Sequence, residues 1–458
     1  MLTSAALLAG LAGPVLPGIA SAPTTISTVA RHDLADGVVS VVPLQRGDRL
    51  VGVTWSSGAA AVAVRWRTAA GWTPWVEEGA EPGSRPGDSG DPAVRPGTEP
   101  LWRPAGAGAV AVRVSAPAAG RPQVVVVGER RARRWQVGGL RADAAPSTTG
   151  EERLGRVVTR AEWGADEALR KRPTYQSRVD AVVVHHTVNA NDYAPAEGPA
   201  IVRSIYAYHV RGRGFDDIAY NLLVDRFGRI YEGRAGGFRT RTIKGSHTGG
   251  FNERTVGVAM IGNHDEAAPD ALMVEGVARV AAWAADRWRF DPRTTTALTS
   301  RGSSRHPRGR TVPVPRVLGH RDLSTTACPG RYGYPLLGSW RDRAWRLLAP
   351  VITDVVVEGA PVRSPEPLRI RARLTSRAAW TITVTSPYGG AVVTTSQGEG
   401  VDPQLEWDGR VGGLPVVPGE YTWTATADDG RHGPSDPVSG TVLVTAPLAR
   451  SRTEQPST

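Results

Sequence analysis

The run Val182-Val183-Val184-His185-His186-Thr187 decides how the middle of this chain is read. Three β-branched residues in a row describe a buried strand, and two imidazoles stand at its end. Side chains alternate across a strand, so His185 and His186 face opposite ways and only one of them can enter a given cleft. Further along, Val317-Leu318-Gly319-His320 repeats the theme of a short apolar run closed by histidine. Cys328 follows eight residues later and is the only cysteine among 458 residues, so no intrachain disulfide claims it. Pro329 behind it disfavours helical geometry at Cys328 and favours an extended backbone that aims the sulfur. Each residue alone has a plain structural reading, as a packed strand-end histidine or a cysteine buried as a small hydrophobe. Together, two imidazoles and a thiolate suffice to hold a catalytic zinc with its fourth position open to water.

Outward from these residues, apolar periodicity predicts a helix over 197–210, where Ile201, Ile205 and Tyr208 recur at helical spacing. Runs at 218–225 and 229–233, joined by Arg226-Phe227-Gly228, read as a hairpin that carries Tyr220 on its first strand. The run 256–261 reads as a central strand, and 271–289 and 335–348 read as packed helices. The expected fold class is thus an α/β domain over 156–350, a mixed central sheet flanked by helices, lying between two all-β sandwich-like domains. The first of these covers 33–129, where β-branched runs alternate with glycine- and proline-rich turns. Trp72 and Trp75 flank one such turn, and packing in the sandwich core is favoured for them over a sugar-stacking platform. A linker is expected over 130–155. The second β domain covers 351–447, where Leu368 to Leu374 alternates strictly and turn residues recur at sandwich spacing. A disordered tail is expected over 448–458.

Residues 1–22 are small and apolar and end in Ala20-Ser21-Ala22, an imperfect signal peptide without a basic start. No later segment approaches the roughly 20 uninterrupted apolar residues of a spanning helix, so an integral membrane protein is not expected. The expectation is a secreted, cell-wall associated protein, in which metal binding would also protect a lone thiol from oxidation. The net charge of +11 is carried almost wholly by arginine, Lys171 and Lys244 being the only lysines. It admits anionic wall polymers as partners, whereas no nucleic-acid-binding pattern is present. The cluster Arg301, Arg305, Arg308 and Arg310 reads as a solvated basic loop in preference to a polymer contact.

Seven motifs carry a resemblance. Arg160-Ala-Glu-Trp-Gly-Ala165, Val184-His185-His186-Thr187, Asp217-Ile-Ala-Tyr-Asn221, Arg229-Ile-Tyr-Glu-Gly-Arg234, Thr255-Val-Gly-Val-Ala-Met-Ile-Gly262, Gly319-His-Arg-Asp322 and Ala327-Cys-Pro329 occur in this order. Over 156–350 the chain resembles the peptidoglycan recognition protein family, which shares a fold with phage-type zinc N-acetylmuramoyl-L-alanine amidases. The resemblance implies one Zn2+ ion on His185, His320 and Cys328, with His186 facing away. It implies Tyr220 as a catalytic residue and Thr326 as its assistant, where phage relatives carry a lysine. A threonine donates a hydrogen bond but brings no positive charge, so more would rest on Tyr220. It further implies that His247 and Asn252 line the substrate groove. The implied reaction is hydrolysis of the amide between the lactyl group of N-acetylmuramic acid and L-alanine of the stem peptide. Family members that bind without turnover typically lack the cysteine, so Cys328 favours the enzyme over the alternative, a non-catalytic peptidoglycan-binding protein. No His-Glu-x-x-His run points to a zinc peptidase instead. More loosely, 351–447 resembles FlgD-type Ig-like domains through Trp407-Asp-Gly-Arg410 and Pro418-Gly-Glu-Tyr-Thr422.

Overall fold

A central six-stranded sheet organises the middle of the chain, in the order Val157–Val158, Ile230–Glu232, Leu222–Val224, Thr255–Met260, Ala181–His186, Val317–Gly319. The computed structural model describes residues 25–35, 37–56, 60–78, 80–81, 94–115, 121–131, 151–171, 173–236, 242–348, 350–362, 367–430 and 434–445. The proposed signal peptide, most of the proposed linker and the proposed tail lie outside them. Strand Ala181–His186 runs parallel to both its neighbours, and only the Leu222–Val224 and Ile230–Glu232 pair is antiparallel. One face carries Val182, Val184, Val256 and Val258 against Val277, Ala281 and Trp283 of helix Ala271–Arg287 and Trp340 of helix Leu337–Leu347. The other face packs Leu223, Tyr231 and Ala259 against Ile201, Val202 and Ile205 of helix Gly198–Ala207. Burial on both sides is why these strands read as continuous apolar runs. The carboxyl ends of the parallel strands share one edge, where crevices form in open α/β sheets.

Two expectations for this domain change. The helix ends at Ala207 and continues as a π-helical turn, Tyr208–Arg213, closed by Gly214 at φ 82°. Tyr220 lies ahead of its strand, because Asn221 donates its amide to the Gly257 carbonyl and only Leu222–Val224 joins the ladder with Ile230–Glu232.

The N-terminal unit is two sheets around Val51, Val53, Val62, Val64, Val110, Val112, Val124 and Val126. Its pairing reaches beyond 33–129. Strand Thr25–Asp33, too polar to be read from its sequence, pairs along its whole length with Gln123–Arg131. The expected linker is likewise shorter at its end, since Glu151–Leu154 is a helical turn with Leu154 in the central core. Trp72 and Trp75 stand outside the sandwich core, with the Arg65 guanidinium 4.8 Å and 4.6 Å from their rings. Arg65 projects from the outer face of its strand, one position before Trp66, which packs on the core, and the cation draws both indoles to the surface. C-terminally, a three-stranded and a four-stranded sheet enclose Ile370, Ile382, Trp407, Tyr421 and Trp423. Strand Leu368–Leu374 alternates buried and exposed without a break, as its sequence predicts.

Candidate metal centre

His185 and His320 end neighbouring parallel strands, and the loop from Arg321 returns Cys328 to the same place. The Arg321 amide donates to the Cys328 carbonyl at 3.0 Å, which closes this loop at its neck. The ligand atoms of His185, His320 and Cys328 all lie within 4.8 Å of one another, and all three residues are buried. Cys328 Sγ is 3.7 Å from His185 Nδ1, and the His185 and His320 ring centroids are 4.5 Å apart. Donors bound at 2.0–2.3 Å to a tetrahedral ion stand roughly 3.5 Å apart, so this set fits zinc. The two-imidazole, one-sulfur composition fits it equally well and leaves one position open.

The opposite facing of the histidine pair is observed. His186 lies across the sheet, where its Nδ1 accepts the His264 amide at 3.2 Å and its Nε2 is 3.8 Å from Asp265. Burial, reinforced by the other imidazoles around it, holds His185 well below the ordinary histidine range. Burial likewise pushes His186 and His247 down to about 3. These rings are neutral at pH 7, the state in which a ring nitrogen can ligate.

Tyr220 packs beside the ligand His185, its ring centroid 5.4 Å from that of His185 and tilted 51° to it. The motif residues around it hold its segment in place. Arg160, buried, pairs with Asp217 at 3.2 Å, and Asp217 in turn accepts the Ile218 and Ala235 amides at 2.7 Å and 2.9 Å. The Tyr220 carbonyl accepts the Arg234 amide at 2.9 Å. Thr326 is half-buried, and its hydroxyl accepts the Cys328 amide at 3.2 Å, which sets it beside the sulfur.

His247 and Asn252 are buried, at 5% and 0% exposure, beside the metal ligands. His247 Nδ1 is 3.0 Å from His185 Nε2 and 2.9 Å from the Thr248 hydroxyl. Asn252 Oδ1 accepts the Thr248 amide at 2.9 Å and so braces the same loop. Space for the His247 ring exists because 245 and 257 are glycines: a β-carbon at Gly245 would stand 2.5 Å from His247 Cδ2, and one at Gly257 would overlap the ring. Sequence reading assigned neither glycine. The Gly-x-His spacing at 245–247 is the trace it left.

The arginine-rich segment 301–310 is also more than solvated chain. It caps the hairpin of Thr295–Thr299 and Thr311–Pro315 and packs on the loop between His320 and Cys328. Ser303 Oγ donates to the Leu323 carbonyl at 2.7 Å, Arg305 to the Arg321 carbonyl at 2.6 Å, and Ser304 Oγ accepts the Thr325 amide at 2.8 Å. Two serine hydroxyls and one guanidinium of that segment thus hold it to the ligand loop.

Residues 175–331 match the N-acetylmuramoyl-L-alanine amidase family, and residues 17–147 match the Rv3811 N-terminal galactose-binding domain-like family. A peptidoglycan-recognition protein of Drosophila simulans is 30% identical over 187 residues, 41% of this chain and 88% of the relative. The chain belongs to the peptidoglycan recognition protein family. Another member, Peptidoglycan recognition protein 1 of Bos indicus, is 30% identical over 187 residues, 41% of this chain and 84% of that relative. Among solved structures, wild-type PGRP-LB of Drosophila aligns at 25% identity and a TM-score of 0.32, covering 40% of this chain and 94% of that one. The family relationship thus covers the central domain. Among the described residues, no helix is long and apolar enough to cross a membrane.

Proposed function

We propose that this family member is a secreted zinc-dependent N-acetylmuramoyl-L-alanine amidase, cleaving the amide between the lactyl group of N-acetylmuramic acid and L-alanine of the stem peptide. One observation carries the reading: His185, His320 and Cys328 converge, with Tyr220 beside His185, inside the span that matches the amidase family. Zinc on these ligands would supply Lewis-acid activation for amide hydrolysis. The chain's own groups do the rest. Tyr220 would donate a hydrogen bond to the carbonyl oxygen as negative charge gathers there, and the Thr326 hydroxyl beside Cys328 would add a neutral donor. With His185 Nδ1, the nitrogen nearer the sulfur, on the metal, its Nε2 would carry the proton and donate it to His247 Nδ1, 3.0 Å away.

The second reading is peptidoglycan binding without turnover, favoured by relatives that are named as recognition proteins. Retention of Cys328 weighs against it. Incubating the full chain with defined muropeptides separates the two. Amidase action releases free stem peptides by mass analysis, stops on chelation and returns with zinc, whereas a binding protein co-sediments with sacculi and releases nothing.

The exposed Arg308 and Arg310, on the segment whose residues 303–306 contact the metal-ligand loop, fit anionic wall polymers as secondary partners. The C-terminal unit we read as FlgD-type Ig-like. Its Tyr421 hydroxyl donates to the Val417 carbonyl at 2.8 Å, a tie that locks sandwich corners.

A further inference from the structure

More than a chain connection joins the N-terminal sandwich to the metal-bearing domain. Tyr208, the first residue of the π-helical turn, is fully buried among Leu50, Val125 and Val127 of the sandwich. Its hydroxyl donates to the Thr98 carbonyl at 2.8 Å. Gly52, on strand Asp48–Thr54, floors this socket, and a side chain there would fall on the Tyr208 ring. At the other end of the turn, buried Arg213 donates Nε to the Arg95 carbonyl at 2.7 Å, and the Arg95 amide donates back to the Arg213 carbonyl at 2.8 Å. Glu129 bridges Arg49 of the sandwich at 3.1 Å and Arg203 of the helix at 2.8 Å.

The same turn reaches the metal pocket from behind. His209, next to Tyr208 and itself buried, accepts the Ala219 amide on Nδ1 at 3.1 Å. Its ring lies 5.1 Å from Phe215 and 5.7 Å from Tyr220, and Tyr220 faces His185. Val94 of the sandwich packs directly with Phe215 and Ala219. A π-helical turn is a rare geometry frequent at functional sites, and here both its ends are held by the other domain.

We propose that the N-terminal sandwich is a working part of the active site: by clamping Tyr208 and Arg213 it fixes His209, and His209 sets Tyr220 beside the ligand His185. His209 is accordingly a positioning residue. The inference rests on the amidase reading for its activity readout, and a structural readout tests it separately.

The test uses the full chain with Gly52→Val, His209→Ala and His209→Gln. Each is measured for kcat and KM on muropeptide, bound zinc, and amide hydrogen exchange over 215–221. Valine suits a strand, so Gly52→Val evicts Tyr208 while the sandwich keeps its own ladder. Gly52→Val and His209→Ala are expected to lower kcat about tenfold or more, with KM and zinc stoichiometry held and faster exchange over 215–221. His209→Gln, whose amide oxygen can accept from Ala219, retains most of the activity. Wild-type kcat and exchange in both Gly52→Val and His209→Ala overturn the proposal, as does a loss of activity that merely follows loss of zinc. If Gly52→Val does not fold, the contrast between the two His209 variants decides. If the wild-type chain releases no peptide, the amidase reading fails, and the exchange data still decide whether the sandwich orders the Tyr220 segment.

Discussion

Gly257→Ala tests whether His247 governs the metal centre from outside it. Gly257 lies on Thr255–Met260, a strand buried on both faces between two ladder partners, so its backbone cannot retreat. An added methyl carbon would stand 2.7 Å from His247 Nδ1 and nearer still to two ring carbons. Ordinary contact is about 3.5–4.0 Å, so the ring must withdraw by about 1.2–1.7 Å from the 2.3 Å of its nearest atom. The His247–His185 bond, 3.0 Å long, then stretches beyond hydrogen-bond reach, and the metal ligand loses the partner that fixes its tautomer and tilt. Losing such a partner costs about 10–100-fold in metal affinity, or roughly 1.4–2.7 kcal/mol. Overpacking should lower global stability by about 1–3 kcal/mol as well. Zinc affinity is read by competition with a chromophoric chelator at a temperature where both proteins remain folded. His247→Ala serves as the control that breaks the same bond without crowding. If both variants bind zinc within about twofold of wild type, His247 does not support the site and the reasoning is refuted.

Three further outcomes are expected. Tyr220→Phe should retain zinc while kcat falls about 100-fold, since one donor to the developing negative charge is removed; unchanged turnover on muropeptide would show that Tyr220 is not that donor. Asp180 is fully buried and ion-paired with Arg178, Arg254 and Arg316, of which only Arg316 is largely buried, so Asp180→Asn should cost about 1–3 kcal/mol in urea unfolding through the charged hydrogen bonds it loses. Burial pushes the half-buried Glu78 carboxyl up to about 7 from 4.5. The native state therefore holds this proton where the unfolded chain releases it, so Glu78's contribution is most favourable below pH 4.5 and is lost as pH rises towards 7. Glu78→Gln should match wild type in thermal melts at pH 4 and exceed it by about 1–2 kcal/mol at pH 8, after discounting for solvent screening.

The central elements were legible because their signals are local. Val182 to His186 announces a doubly buried strand, the helical spacing of Val277, Val280 and Trp283 announces their helix, and Leu368 to Leu374 alternates without exception. Strand Thr25–Asp33 escaped notice because its place is secured by pairing with Gln123–Arg131 and not by its own apolar content. The reading of Trp72 and Trp75 failed for a related reason. An indole's burial depends on which face of the sheet it meets, and the cation of Arg65 supplies a surface partner that composition does not disclose.

Residue types and their order along the chain were enough to single out His185, His320 and Cys328, because a zinc site is defined first by the chemistry of its donors. Only the folded chain could decide what stands behind them. His247 grips His185, residues 301–310 adhere to the ligand loop, and Tyr208 plugs the sandwich while His209 backs Tyr220. These are contacts between segments as far as 110 residues apart. Such contacts leave almost no periodic trace in a sequence, since they are selected by shape and by the few atoms that happen to meet once the sheet, its helices and its neighbouring domain have packed.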